Sequence, residues 1–332
     1  MSLRVNGQLL ESDGDMARAL NNQFKSVFQE KGEFIVPEVD PRREIVDKLD
    51  RVEVGCDRIL KKLKELDVGK AVGPDEVSSR ILKECAEELC VPVHAIVENS
   101  LKTGEVPERW KEANVVAIFK GGNREDPSNY RPVSLLSVLL KICESTIQDV
   151  WWKFMNGKCV ICRNQYGFVS GRSTTTNMLS FYGRIVDVVD KREGWVDAVY
   201  LDLRKAFDTV PHDRLLWKLE HYGGVGGVLL KWFRNYLEGR RMRTGVRGSF
   251  SRWEEVTSGV PQGSVLGPTM FLVYVNDLVE GIDSYMNMFA DDAKMMRCIK
   301  SVRDCEALQR DLTKIHLWSV KWGMELKGRR RK

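Results

Sequence analysis

The sequence predicts an α+β fold, on three observations. Apolar residues recur at helix spacing in several stretches, as in Ile59, Leu60, Leu63 and Leu66. Short β-branched runs such as NVVAIFK (114–120) and WVDAVYLDL (195–203) read as buried strands. Helices and strands then alternate without the strict strand–helix–strand period of a doubly wound parallel sheet, which leaves α+β as the class.

Residues 1–45 are polar and mixed, with one helical pattern over 16–28 (Leu20, Phe24, Val27, Phe28) closed off by Pro37 and Pro41; they read as a leader packed on something else. A helix over 54–66 is closed by Gly69, Gly73 and Pro74, and two more are expected over 78–89 and 91–101. After the strand 114–120, the loop KGGNREDPSNYRP carries Lys120, Arg124 and Arg131, and a helix is expected over 134–152. NQYGFVSGRST begins as a Gly-rich loop and becomes a helix from Ser173. Beyond the strand 195–203, a helix has Pro211 early and Gly223 just past its end, favourable residues at both termini. Another helix covers 229–237, and 242–263 has the turn density of strands. GPTMFLVYVNDLVEGI is helical, and YMNMFADDAKMMRCI reads as two short strands about a turn.

Composition is that of an ordinary globular protein, with 52 Lys and Arg against 47 Asp and Glu. The small basic excess, concentrated in the tail KGRRRK (327–332), permits a nucleic-acid partner without demanding one. The N-terminus has no signal-peptide pattern, and no window reaches the roughly 20 apolar residues a membrane span needs, so a soluble intracellular protein is expected. In that compartment the eight cysteines stay reduced. Cys159 and Cys162 form a lone C-x-x-C with no second pair or nearby His, so no metal is assigned to sulfur.

The chemistry concentrates in NMFADDAKMM, where Asp291 and Asp292 interrupt an apolar hairpin. A carboxylate away from water costs several kcal/mol unless it is paired, so these two either sit at a solvated turn or hold cations. Neighbouring strand residues face opposite ways, so unequal roles are expected, with one Asp the primary ligand. Mg²⁺ takes few protein carboxylates and keeps places for phosphate oxygens, and a third Asp would complete a two-metal phosphoryl-transfer site. Asp202, at the end of the apolar run VDAVYL, is the natural third; Asp208 and Asp213 compete, though helix capping explains those two well.

VYLDLRKAFDTVPHDRLLWKL, SGVPQGSVLGPTMFLVYVNDL and MFADDAKMM occur in an order and spacing that resemble the reverse transcriptase domain of non-long-terminal-repeat (LINE-like) retrotransposons, of the jockey and chicken-repeat branches. GPDEVSSRILKE, VPERWKEANVVAIFKGG, NYRPVSLLSVLLKICE and NQYGFVSGRST look like the same family's earlier segments, so the resemblance covers about residues 55–322. It implies the right-hand polymerase fold: a leader or linker over 1–54, fingers and early palm over 55–190, an antiparallel palm sheet packed by helices over 191–322, and a basic truncated tail over 323–332 with the thumb missing. It implies RNA-directed DNA polymerase activity, with an RNA template, a DNA primer and a deoxynucleoside triphosphate as partners, no membrane, and a nuclear or nucleocytoplasmic location.

Residue by residue, the resemblance implies that Asp202, Asp291 and Asp292 are catalytic. With the carbonyl of Leu203 they would hold two Mg²⁺ ions, for which Mn²⁺ can substitute. Phe207 matches an aromatic gate beneath the sugar, Gln262 and Gly263 match contacts to the incoming nucleotide, and Lys120 and Arg131 match residues that grip its triphosphate. Arg172, Arg240, Arg241 and Arg243 are expected on template and primer phosphates. Phe289 stands where many relatives have Tyr, and the Lys that the family uses on the pyrophosphate is absent or replaced by Lys327. The competing expectations are a nucleic-acid-binding remnant without turnover and a metal-dependent nuclease; PQG and Phe207 would have no purpose in the latter.

Overall fold

The computed structural model describes residues 2–29, 32–41, 43–192 and 194–327. In chain order its elements are β1 (Leu3–Val5), β2 (Gln8–Leu10), α1 (Asp13–Lys25), α2 (Cys56–Lys64), α3 (Ser79–Glu84), α4 (Ala86–Thr103), β3 (Glu112–Phe119), β4 (Tyr130–Leu135), α5 (Val138–Gly157) and α6 (Thr174–Asp190). There follow β5 (Trp195–Asp202), α7 (Ala206–Thr209), α8 (His212–His221), α9 (Gly227–Leu237), β6 (Arg241–Val246), β7 (Ser249–Phe250), β8 (Glu254–Glu255), α10 (Gly267–Val275), β9 (Tyr285–Phe289), β10 (Asp292–Ile299) and α11 (Val302–Trp322). Helix and sheet are mixed, and the protein is α+β. Of the basic tail expected over 323–332, the part from Gly328 onward lies outside the described residues.

Two sheets carry the architecture. One is antiparallel, in the order β5-β10-β9; the other runs β4-β3-β6-β7 with β8 also on β6, and only its β3–β6 pair is parallel. Met286, Met288, Ala293 and Met295, from β9 and β10, pack with Leu308 and Ile315 of α11. A much larger cluster joins the helices to the second sheet, and Trp151, Trp232, Phe233, Tyr236 and Phe271 are fully buried in it. Met16, Ala17, Leu20 and Phe24 of α1 belong to that same cluster, so the stretch expected as a leader packs directly onto the main body.

Local chemistry explains most boundaries. Ser12 caps α1 by accepting the Asp15 N–H at 3.0 Å, and Ser173 with Thr176 forms a reciprocal capping box on α6. The helix expected from residue 134 starts only at Val138. Ser134 and Leu135 pair instead with Val115 and Asn114, because ladder bonds to β3 satisfy their backbone better than an uncapped first turn would. Pro92 lies inside α4, where it removes a single intrahelical bond, and the break expected near it falls earlier, at Cys85. No helix among the described residues is long and apolar enough to cross a membrane.

Candidate active site

The acidic turn is built by register. β10 pairs with β5 so that Asp292 lies opposite Asp202, and with β9 so that Asp292 lies opposite Phe289, leaving Ala290 and Asp291 as the two turn residues. Directly opposed residues of an antiparallel pair share a face, so the register puts Asp202 and Asp292 on one side of the sheet. Ala290 has φ 54°, a left-handed conformation that costs a residue with a Cβ about 1 kcal/mol or more.

Gln165 holds that turn in place. Its Oε1 accepts the Ala290 N–H and the Gly167 N–H, each at 2.8 Å, while its Nε2 donates to the Ala290 carbonyl at 3.4 Å. The backbone supports it, since Tyr166 N–H donates to Met288 O and Met288 N–H to Asn164 O, both at 2.8 Å. Gly167 cannot carry a side chain here, because a Cβ would sit 2.4 Å from the Ala290 nitrogen. Gln165 carries no signal of this role in the sequence beyond an amide ahead of Tyr-Gly in the Gly-rich loop. Arg172, expected on nucleic acid, donates instead to the carbonyls of Arg163 and Gln165 and lies 5.1 Å from the centre of the Tyr166 ring. It braces the cradle from beneath.

Beside the turn opens a cavity of about 790 Å³. Asp202, Leu203 and Phe207 line it from the end of β5 and α7, Lys120 from just beyond β3 and Arg131 from β4, Gln262 and Gly263 from the loop before α10, and Asp291 from the turn. Asp292 is exposed and is not among the lining residues. Burial, and after it the neighbouring charges of Asp292 and Asp202, push the Asp291 carboxyl above the usual carboxylate range, with Arg131 acting in the opposite direction.

Asp202 Oδ2 accepts from Lys327 Nζ at 3.0 Å. Around that pair, Leu203 faces Leu326 in an isolated antiparallel bridge, while Arg204 N–H donates to Glu325 O and Lys327 N–H to Asp202 O. The bonds flank the 203–326 pair, so the Leu203 carbonyl points away from the Leu326 segment. Among the described residues no three His, Cys, Asp or Glu side chains converge into a ready-made cation cage. The donors that do gather here are two carboxylates and a free-facing carbonyl, with an ammonium standing in as the positive charge. Such a set fits a hard cation that keeps most of its places for water and phosphate oxygens.

Phe207 stacks on Phe271, with centroids 4.3 Å apart and planes 19° apart, and Phe168 meets its edge at 6.1 Å. The 258–263 loop is bonded to the same turn, Gly259 N–H to Val210 O and Val260 N–H to Phe207 O, and on its other side Ser134 N–H donates to Gln262 O at 2.7 Å. Gly263 has φ 114°, and a Cβ there would lie 2.5 Å from the Ser134 carbonyl oxygen. Lys205 and Phe168, both lining the cavity, have φ of 46° and 55°. Two left-handed non-glycine residues therefore line the cleft and a third, Ala290, lies in the turn beside it, strain of the kind that functional sites store.

The remaining basic residues lie elsewhere. Arg240, expected on phosphates, is 3% exposed; its Nη1 donates to Tyr236 O at 3.2 Å and its guanidinium packs on the Tyr236 ring, so it cannot reach a nucleic acid from this position. Arg241 pairs with Glu112 at 2.6 Å. Arg243 donates to Asn114 Oδ1 at 2.8 Å and lies between the Phe250 and Trp253 rings. Arg240, just before β6, is buried like Met242 two residues on, while Arg241 and Arg243 alternate to the other face; which of the two faces is covered is set by what packs on the strand.

A family model described as reverse transcriptase (RNA-dependent DNA polymerase) matches residues 118–329. The chain is 28% identical over 336 residues, 95% of its own length, to the "Probable RNA-directed DNA polymerase from transposon BS" of Drosophila melanogaster. It is 28% identical over 283 residues to the "RNA-directed DNA polymerase from mobile element jockey" of the same fly, and 29% identical over 194 residues to the "Retrovirus-related Pol polyprotein from type-1 retrotransposable element R2" of Popillia japonica. These alignments cover 36%, 31% and 26% of the three relatives, so the chain spans about a third or less of their length.

Proposed function

The chain belongs to the reverse transcriptase (RNA-dependent DNA polymerase) family, and from that premise we propose that it joins deoxynucleotides to a DNA primer on an RNA template. One observation carries the reading. Asp202, Asp291, Lys120, Arg131, Phe207 and Gln262, far apart in sequence, meet around one cleft large enough for a nucleotide. In this reading residues 55–190 are fingers and early palm, and 191–322 the palm whose β5-β10-β9 sheet presents the carboxylates, with 1–54 leading into it.

Asp202 and Asp291, with the Leu203 carbonyl and Asp292 beside them, would hold Mg²⁺ or Mn²⁺. Ions bound there would lower the pKa of the primer hydroxyl and neutralise charge on the reacting phosphate. Lys120 and Arg131 draw in the triphosphate by charge, and the planar fork of Arg131 orients it. Lys327, released from Asp202 when a cation takes its place there, would be free to pair with the phosphates. Phe207, held by its stack on Phe271, would crowd a 2′-hydroxyl of the incoming sugar and so select deoxyribose. Gly263 brings the loop backbone close enough for Gln262 to meet the nucleotide.

The test is extension of a DNA primer on an RNA template with Mg²⁺. Wild type should extend it, and Asp202→Asn or Asp291→Asn should lose at least roughly a hundredfold in rate, as expected when transition-state charge goes unneutralised. Protein that binds primer–template yet adds no nucleotide with any metal would overturn the proposal in favour of a binding remnant.

A further inference from the structure

Asp208 has no role in the chemistry above, and its surroundings are those of a built contact. It is the third residue of the four-residue α7, whose N-cap is Lys205, so capping does not explain it. Its Oδ1 accepts from Gln262 Nε2 at 2.7 Å. The backbone on both sides is fixed. Ser258 Oγ donates to Asp208 O at 2.8 Å, and Gly259 lies so close that a Cβ would be 2.7 Å from the carbonyl oxygens of Phe207 and Asp208. Asp208 lines both the main cleft and a smaller void of about 50 Å³ behind it.

We infer that Asp208 is a positioning residue for the nucleotide: its carboxylate sets the orientation of the Gln262 amide, holding the NH₂ group toward itself and turning the carbonyl oxygen away. The inference rests on the reading that the cleft takes a deoxynucleoside triphosphate. An ionised carboxylate only accepts hydrogen bonds, so it must take the NH₂ side of the amide. A protonated one can donate to the amide oxygen instead, and the amide is then free to turn over. The donor and acceptor pattern that Gln262 shows the nucleotide therefore depends on the charge of Asp208.

The charged groups around Asp208 are Lys205 on its own turn and Lys120 just beyond β3, Arg240 and Arg241 across the smaller void, and Arg131, Arg204, Lys327, Asp202 and Asp291 around the cleft. Burial raises its pKa to about 6, while the Gln262 bond and then Lys205 and Lys120 pull it down. The switch falls near pH 6, and the ordered amide belongs to the side above it.

Two measurements on the full chain test this. The first follows the Gln262 side-chain amide by ¹⁵N NMR, assigned through Gln262→Ala, from pH 5 to 8 without nucleotide. A titration with a midpoint near 6 in wild type, absent in Asp208→Asn, is expected; an amide indifferent to pH, or one that titrates equally in Asp208→Asn, overturns the inference. The second measures the affinity of deoxynucleoside triphosphate for protein with Mg²⁺ and a chain-terminated primer on RNA. Relative to Asp208→Asn, which shares the triphosphate's own titration, wild type should lose about tenfold in affinity between pH 8 and 5, the worth of one net hydrogen bond. Asp208→Asn combined with Gln262→Ala should bind no worse than Gln262→Ala alone, and additive losses overturn the inference. If the amide titrates but no variant takes nucleotide at any pH, the proposed function fails and the inference fails with it.

Discussion

Removing Glu144 should loosen the loop before α10 from behind, by an amount that the lost contacts set. Glu144 is 0% exposed on α5. Its Oε1 accepts the Tyr236 hydroxyl and its Oε2 the Val265 N–H, each at 2.6 Å, and Val265 lies two residues beyond Gly263. In Glu144→Ala the buried Tyr236 hydroxyl loses its carboxylate partner and the part-buried Val265 N–H its acceptor, at up to about 1–3 kcal/mol each, and the lost methylenes leave a void. Burial already holds the Glu144 carboxyl above its ordinary range, so deleting it returns part of that cost. The net expectation is a loss of about 3–5 kcal/mol in urea unfolding at 25 °C, followed by tryptophan fluorescence. Glu144→Gln keeps both contacts, because its oxygen can accept from Val265 and its NH₂ can donate to the Tyr236 oxygen, so it should stay within about 1 kcal/mol of wild type. The folded state holds the Glu144 proton at a pH where the unfolded chain has lost it. Stability should therefore fall as pH rises above the ordinary glutamate range, and the glutamine variant should lack that slope. A loss below about 1 kcal/mol for Glu144→Ala, or equal losses for the two variants, would refute the reasoning.

Other substitutions probe other links. Gly263→Ala should cost about 1–3 kcal/mol and raise the nucleotide KM more than it lowers kcat, since the new Cβ meets the Ser134 carbonyl; unchanged kinetics and melting would count against the close approach. Lys218 is fully buried, with Nζ 2.6 Å from Asp277 Oδ1 and 3.7 Å from the centre of the Trp322 ring. Lys218→Met leaves Asp277 with the Trp318 Nε1 bond at 2.7 Å and the Arg43 guanidinium at 3.8 Å, and should cost about 3 kcal/mol in urea unfolding, at the lower end for a broken buried pair. Burial lowers the Lys218 pKa to about 8 from its ordinary 10.5, so the unfolded chain binds more protons between those values. Wild-type stability should rise across that window, and the methionine variant should not share the rise. Phe207→Val should reduce discrimination against ribonucleotides by roughly tenfold or more in primer extension, and undiminished selectivity would remove Phe207 from the sugar site.

The elements that could be read from sequence were those whose pattern is local. Period-3.6 apolar stripes mark α2, α5 and α8, and the β-branched runs of β3 and β5 carry their own signal. β4 was hidden inside an expected helix, because only its pairing with β3 makes it a strand. Hairpin β1–β2, inside the stretch read as a polar leader, and the long α11 gave no element signal, since polar alternation and a mixed charged helix look alike until a partner surface is known. The cleft residues named from the resemblance do share one cavity, apart from Asp292 and the four arginines.

By itself the sequence determined the α+β class, the strand that ends at Asp202 and the apolar hairpin that carries Asp291 and Asp292. Each of these is written in the spacing of neighbouring residues. Tertiary structure alone decided that Gln165 holds Ala290 in its strained turn, that Asp208 engages Gln262, that Lys327 reaches Asp202, and that Arg240 is buried against Tyr236. Those contacts join residues from different elements, most of them many positions apart, and a side chain's partner at such range is set by how sheets and helices stack, which local pattern does not encode.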